Sequence, residues 1–544
     1  MKKVLCLLLC MVMLLGVLVA CGDDDKPADT KAPEVTTGGN QGGETTAPPS
    51  GNQGGETTAP PSGNQGGETT APPSGGNQGG TQGGENNTTN PTVTVDPSIK
   101  PSVEPENLGN PDGSARTFTF LVRSGRHAWF WGTDKSTDEV SVAAYKRNNL
   151  LNEMYNIEMA ILENESSTST WRTTLDAADG NIDVAIPDYY WELEYEGFFI
   201  NLMRRPEIDD SESHWIQGWN NHLIINNRLY TLVGDAALEI MENWEVLFYN
   251  RDMAKDLGYY EDIFDMVDEG EWTVKEMISI MDDFELALMD NDESNDIWGA
   301  VYDSHSMAQQ LYSAGLTLLE TNRFTNIITD ISNTPKNIAL TEDVTALRHH
   351  NATNYFAVTA RSDLGTKNGL FFAEQSFFYG SCLLNGKNIK KSAAFDYGVL
   401  IMPKHDVADD YRTGSYGVSF FTIPHSSSDK HASAVVLNTM NYLSGDSGEE
   451  KLGEDRLVYT YFETVVKGQV ANLAEDFAML DRIKASVRYD FGFVAMGTVS
   501  LQGSFTSAVH NNESIAVTMG DVAKKAEDGI LEMMTFYGDA RYAE

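Results

Sequence analysis

The chain has 544 residues, 80 of them acidic and 38 basic, for a formal net charge of −42. So negative a molecule lacks the basic patches that nucleic acid requires, and an anionic membrane surface repels it. Of its four cysteines, Cys6, Cys10 and Cys21 stand at the very start, which excludes a disulfide framework.

Met1 to Ala20 carries two lysines, an apolar core from Val4 to Val19 and small residues at its end, the layout of a secretory signal. The run Leu18-Val19-Ala20-Cys21 resembles the lipobox of bacterial lipoproteins. That resemblance implies cleavage before Cys21 and a lipid on its thiol, so that the mature chain is held by lipid to the outer face of the cell membrane. An apolar run of about 16 residues is short for a membrane span, and no stop-transfer charges follow it. Cys6 and Cys10 leave with the signal. Cys382, set among aromatic and aliphatic neighbours, reads as a buried, inert thiol.

Residues 21–115 collapse in composition to Gly, Thr, Pro, Asn, Gln and Ser, and GNQGGETTAPPS occurs three times, from Gly39, Gly51 and Gly63. Such a tract has too little apolar area to offset the entropy of ordering and reads as a disordered tether. A coil of that length spans about 50–60 Å on average. A sugar-decorated or wall-threading stalk is the other use of such a tract.

From residue 116 the pattern becomes globular and long enough for two large domains. Thr117–Val122 reads as a strand, Asp138–Tyr155 as an amphipathic helix, Ile157–Ile161 as a strand, Ser169–Ala178 as a short helix and Ile182–Ile186 as a strand closed by Pro187. Right-handed β-α-β crossovers of this kind build an open parallel sheet whose ligands sit at the carboxyl ends of the strands. Two loops therefore carry the candidate site. One follows the first strand with Arg126, His127, Trp129 and Trp131; the other follows the third with Asp188, Tyr189, Tyr190 and Trp191. Aromatic rings beside carboxylates suit sugars, whose C–H faces stack on rings while their hydroxyls hydrogen-bond to polar side chains. Each ring taken singly can equally be ordinary packing, and Trp215 with Trp219, four apart, reads as core.

Arg228–Val233 is a further expected strand. The stretch Asn243–Ala254 (NWEVLFYNRDMA) then joins a short apolar run, which suits a strand buried on both faces, to a helix that Asn250 caps and Asp252 favours electrostatically. It reads as a bridge between two α/β lobes. Thr273 with Glu276 forms a capping box, with Trp272 stapled onto Met277 in a structural role. The acidic run Asp290–Asp296 has the alternating oxygens of a calcium loop, but Asn295 stands where the turn glycine belongs and Val301 where the bidentate Glu belongs, so neither metal nor cofactor is expected. Trp298–Tyr302 reads as a strand, with Asp303 to Ser306 leaving its end. His305 is isolated, and a lone histidine is more often structural than a ligand. Trp244, Trp298, Tyr302 and His305 form a second tier of ligand-binding candidates. Gly369–Gly380 (GLFFAEQSFFYG) is expected as an aromatic helix, Tyr397–Pro403 and Tyr416–Pro424 as strands, and Ser428–Leu443 as a helix.

The order of VLFYNRDMA, GEWTVKEM, WGAVY, YGVLIMPK and GVSFFTIPHSSSDKHASAVVLNTMNYLS, with YFETVVKGQVAN near the end and a lipobox in front, resembles the extracellular solute-binding proteins of ABC importers, most closely the clostridial-type branch of the maltose-binding-like family. The resemblance implies a two-lobe periplasmic-binding-protein fold of type II with the ligand cleft between its lobes. Lobe 1 would comprise residues 116–248 with about 404–450, and lobe 2 about 250–400 with about 451–544. Chain crossings would fall near Phe248–Asn250 and Leu400–Pro403. It also implies a monomer that captures a small solute, often a sugar, closes on it and docks on permease subunits. Substrate does not travel with fold. A lipid-anchored receptor for a sensor or adhesin stays open, as does a glycan-acting hydrolase. No G-x-S-x-G elbow, H-E-x-x-H, phosphate loop or Cys/His metal spacing supports an enzyme, yet two carboxylates brought together by folding would suffice for a glycosidase.

Overall fold

The computed structural model describes residues 105–543 apart from 127–129, 134, 137, 166, 188–193, 195, 286–296, 352, 357–368, 416, 446–455 and 495–500. The signal, Cys21, the repeat tract and the calcium-like run lie outside the described residues.

Strand β1 (Arg116–Arg123) buries Phe118, Phe120, Leu121 and Val122, using both of its faces as a central parallel strand must. Helix α1 (Glu139–Tyr155) starts where the Asp138 carboxylate accepts the Val140 N–H, and it ends where Asn156 turns left-handed at φ 51°. Strand β2 (Ile157–Asn164), helix α2 (Thr168–Ala177) and strand β3 (Val184–Ile186) complete the β-α-β-α-β unit. The sheet order is β2-β1-β3, all parallel. Isolated bridges extend it: Thr422 pairs antiparallel with Ala185, and Phe421 with Leu232. The expected strands at 228–233 and 416–424 are thus present only as single pairings. Trp215 and Trp219 are both fully buried, as expected of core, although only Trp219 belongs to helix α3 (Gln217–Leu223).

Strand β4 (Glu245–Asn250) is buried at every position, and Asn250 caps helix α4 (Arg251–Leu257) by accepting the Met253 N–H at 3.0 Å. Trp272 is fully buried, and Thr273 Oγ1 accepts the Glu276 N–H at the start of helix α5 (Val274–Glu285). Strand β5 (Trp298–Asp303) runs straight into helix α6 (Ser304–Ser313). The hairpin β6 (Leu319–Thr321) and β7 (Ile328–Asp330), helix α7 (Pro335–His349) and strand β8 (Thr353–Phe356) follow. Strands β9 (Ser376–Cys382) and β10 (Tyr397–Leu400) complete a five-stranded sheet of order β10-β4-β9-β5-β8, in which β4 runs antiparallel to its two neighbours. Strand β4 pairs within this sheet from Glu245 onward; the three-stranded sheet with what packs on it is called the first body below, and the five-stranded sheet with its helices the second.

One expected helix is a strand. Within Gly369–Gly380 only Gly369–Phe372 is helical; Glu374 turns left-handed at φ 60°, and Ser376–Cys382 becomes β9. All seven of its residues are buried between β4 and β5. Aromatic residues fit such a central strand as well as a buried helix, and apolar runs alone do not separate the two. Cys382, its last residue, is buried and free, as its neighbours implied.

Asp429 caps helix α8 (Lys430–Ser444), which packs on α1. Helix α9 (Ala474–Ser486) packs on β10. Helix α10 (Leu501–Asn511) packs on α7, and the last helix, α11 (Ile515–Gly538), begins beside it. The far end of α11 reaches the first body: Arg228 Nη1 donates to Phe536 O at 2.9 Å and the Tyr537 hydroxyl to Glu194 at 2.7 Å. Among the described residues no helix is long and apolar enough to cross a membrane.

Burial gives the fold an inverted pH response. It pushes the Glu194 and Asp490 carboxyls up to about 7 and that of Asp183 up to about 6. Each then binds its proton more tightly folded than unfolded, so stability falls as pH rises from about 4 to about 7. His431 is raised by its hydrogen bond to Glu207 and acts in the same direction. His214, held down to about 4 by burial, opposes them up to its unfolded value of 6.5. The carboxyls lowered by their partners, such as Asp209 and Asp539, titrate below this window. The melting temperature is therefore expected to drop by several degrees between about pH 5 and about pH 7.5 in a thermal-shift titration, and Asp490→Asn to flatten the slope. A melting point that climbed steadily across this interval would contradict the assignment.

Candidate functional site

The segment from Glu239 to Trp244 lies where the carboxyl ends of both sheets meet. Phe420 donates its N–H to Pro187 O, just past β3, and the next N–H back, of Ser419, goes to the Glu239 carboxylate at 2.7 Å. On the other side Leu384 and Leu383, just past β9, donate to Glu242 O and Trp244 O. A six-residue stretch thus faces the strand ends at which open α/β sheets hold ligands.

Its side chains form a polar belt. Arg126, from the loop after β1, brings Nη1 to 3.9 Å from Glu239, whose side chain is fully buried. Asn243 donates its amide to Glu239 O at 2.9 Å and lies next to Gly417. Glu242 accepts from Lys387 at 2.8 Å and from the Tyr461 hydroxyl, while Lys387 also sits over the Tyr461 ring. Desolvation first, and Glu242 second, lift the Tyr461 phenol far above its ordinary range, so it stays a neutral donor. Carboxylates, a guanidinium, an ammonium, an amide and a phenol along one belt offer both donors and acceptors to a hydroxyl-rich ligand. Beside them Trp244 meets Phe462 edge-on at 6.3 Å, with Lys467 and Lys484 over the Phe462 ring. Among the described residues no group of His, Cys, Asp and Glu could hold a metal ion.

The loop after β1 is anchored so that one ring stays accessible. Buried Arg147 and Asn148 of α1 both donate to Phe130 O at 2.7 Å, and a Cβ on Gly132 would collide with Ser141 O. Burial pushes the Arg147 guanidinium down to about 9. Trp131, between these two anchors, is left 42% exposed. A tryptophan so exposed on a pinned loop is available as a stacking surface.

The remaining candidates divide. Trp129, Asp188, Tyr189, Tyr190 and Trp191 lie outside the described residues; of the residues that flank them, Arg126 reaches Glu239, and Pro187 O accepts the Phe420 N–H. Trp244 ends the Glu239–Trp244 segment and is buried. Tyr302 belongs to the core: it is fully buried, its hydroxyl is 3.2 Å from Gln310, and its ring fills the space that a side chain on Gly380 would need. Trp298 opens β5 opposite Ser376, the first residue of parallel β9, at the sheet edge remote from the carboxyl ends. His305 is in the first turn of α6. Glu239, Glu242, Asn243, Lys387 and Tyr461 had no motif to mark them. The acidic cluster between a strand and the buried β4 run was the one available signal.

The fold has known counterparts. A cyclo/maltodextrin-binding protein complexed with maltotetraose matches over 77% of this chain and 99% of its own, at 14% identity and a TM-score of 0.51. The cyclic α-maltosyl-1,6-maltose binding protein from Arthrobacter globiformis matches with the same coverage, identity and score. No protein-family profile and no curated protein matches the sequence. The chain thus has the two-lobe periplasmic-binding-protein fold of type II.

Proposed function

We propose that this chain is the extracytoplasmic solute-binding receptor of an ABC importer and that it captures a carbohydrate or oligosaccharide. The observation that carries the reading is the polar belt Arg126–Glu239–Asn243–Glu242–Lys387–Tyr461 at the carboxyl ends of the strands, together with an exposed Trp131 on the loop that carries Arg126. The structural neighbours are binding proteins whose ligands are maltodextrins and a cyclic maltosyl-maltose. In this reading the mechanism has no chemistry. Trp129, Trp131, Tyr189, Tyr190 and Trp191 supply ring faces, Asp188 and the belt supply hydrogen bonds, and the solute stabilises the closed arrangement of the lobes. Cys21 carries the lipid, the repeat tract is the tether, and the closed monomer delivers the solute to permease subunits.

A thermal-shift screen of the protein against maltodextrins, other oligosaccharides, amino acids and peptides tests this. A ligand at 100 times its dissociation constant adds about 2.7 kcal/mol and raises the melting point by several degrees. An oligosaccharide is expected to give that shift, and Tyr190→Ala or Trp131→Ala to reduce it strongly. If only peptides or amino acids shift the transition, the carbohydrate assignment is wrong; if nothing does, the receptor reading falls with it.

A further inference from the structure

Away from the belt, the first body carries a second cavity. Thr422 pairs with Ala185 and Pro424 with Phe199, both antiparallel, so residues beyond 424 lie past the amino end of β3, whereas the belt lies past its carboxyl end. A cavity of about 700 Å³ opens there, within the size range of small-molecule sites. Its wall is drawn from three separate stretches of chain, 200–205, 425–430 and 540–543, and shares no residue with the belt.

The wall is cationic. Arg204, Arg205 and Lys430 line it together with the His425 imidazole, and among the described residues no carboxylate does. In a chain of net charge −42, such a concentration of positive charge is not what composition alone produces. Much of its donor capacity is also unused. Arg204 gives Nε to Ala543 O at 3.3 Å, and both of its Nη groups have no partner among the described residues. Arg205 gives Nε and Nη2 to Glu207 and keeps Nη1, while Lys430 gives one proton to Ser427 O at 3.2 Å and keeps two. Arg204 and His425 are exposed and Arg205 and Lys430 half-buried, so these nitrogens are not sealed off inside the protein. The arginines also stand on a fixed backbone: Asn201, only 1% exposed, donates to Ala543 O and accepts the Met203 and Leu229 N–H groups.

We propose that this cavity is an anion site for a phosphate group, free or esterified, held between the Arg204 guanidinium and the Lys430 ammonium with Arg205 Nη1 and His425 beside them. A guanidinium fork matches the paired oxygens of phosphate, and an ammonium next to it adds a point charge. Soluble phosphates and lipid headgroups share this chemistry. The chain that precedes the first sheet meets the protein on the same face, where Glu106 pairs with His431, the residue after Lys430, and His431 and Arg205 both engage Glu207. The assignment does not depend on what the cleft binds.

Inorganic phosphate is the soluble probe, followed by phosphorus NMR and calorimetry on the whole protein, with chloride at matched ionic strength as the control. Vesicles of phosphatidylglycerol, tested by flotation, are the lipid probe. Phosphate is expected to bind at one site that chloride does not occupy. Arg204→Gln and Lys430→Gln, whose melting temperatures verify that they fold, are each expected to weaken it about tenfold, the loss of one charge-assisted hydrogen bond. Raising the salt to about 1 M, where the screening length is about 3 Å, is expected to weaken it further. Binding to the vesicles alone, abolished in the double variant, would assign the same site to a lipid headgroup. Binding of neither probe, binding that these substitutions leave unchanged, or displacement of phosphate by chloride at equal concentration would each overturn the proposal.

Discussion

Arg251→Met is expected to destabilise the protein by about 3–5 kcal/mol, the range for breaking a buried ion pair from one side. Arg251 is fully buried at the start of α4, where it donates to Asp476 at 2.7 Å, to Asp396 at 3.0 Å and to Tyr397 O at 2.7 Å. Asp476 is itself buried and accepts the backbone N–H groups of Val399, Asn472 and Leu473. The pair therefore fastens β4, β10 and α9 together. Methionine fills the volume but leaves the Asp476 charge without its cation, which costs more than the lost hydrogen bonds alone. Gly398 belongs to the same arrangement, because a Cβ there would come within 2.2 Å of the Tyr249 ring and 2.8 Å of Arg251 Nη2. Urea unfolding measures the loss as a lower midpoint at unchanged slope. Adding Asp476→Leu to Arg251→Met removes the stranded charge and is expected to restore a large part of it. A single variant within about 1 kcal/mol of the parent would mean that relaxation or water rescues the aspartate.

Trp219→Ala is expected to cost about 3–5 kcal/mol by a different route, the cavity left when a large aromatic is removed from a packed core. Trp219 is fully buried, lies 3.6 Å from the Tyr489 ring at an interplanar angle of 13°, and has Phe420 against its edge. Tyr489 N donates to Gly218 O, and the adjoining Asp490 accepts the Leu318 N–H. The stack thus ties α3 of the first body to a segment held by the second. Trp219→Phe keeps a ring in place and is expected to lose roughly half as much. Unfolding curves of the two variants check the order, and equal losses would show that a phenyl ring at this position recovers nothing of what the indole contributes.

The elements that sequence located best were those with a local physical signature. Asn250 as a cap and Val246–Tyr249 as a doubly buried strand needed only neighbouring residues, and so did Thr273 as the cap of α5. Failures came where one apolar run admits two periods: Phe377–Tyr379 was assigned to a helix because nothing local shows that β4 and β5 flank it. The site was harder. Strand-end logic singles out the loop that carries Arg126 and Trp131, but Glu239, Glu242, Lys387 and Tyr461 come together only through pairing between distant segments. Tyr302 is buried in the core and Trp298 opens its strand, because being near a strand end says neither which end nor which face.

The first sheet to be started is the last to be finished. β3 must wait for residues 421–422 to cover its edge at Ala185, and Arg228 and Glu194 find their partners only in Phe536 and Tyr537. A chain emerging from the ribosome would therefore carry an open sheet edge for most of its synthesis, the condition that favours slow maturation and stray strand pairing. Shortening the protein at its far end, even by a dozen residues, should thus be felt first in the body built from its beginning.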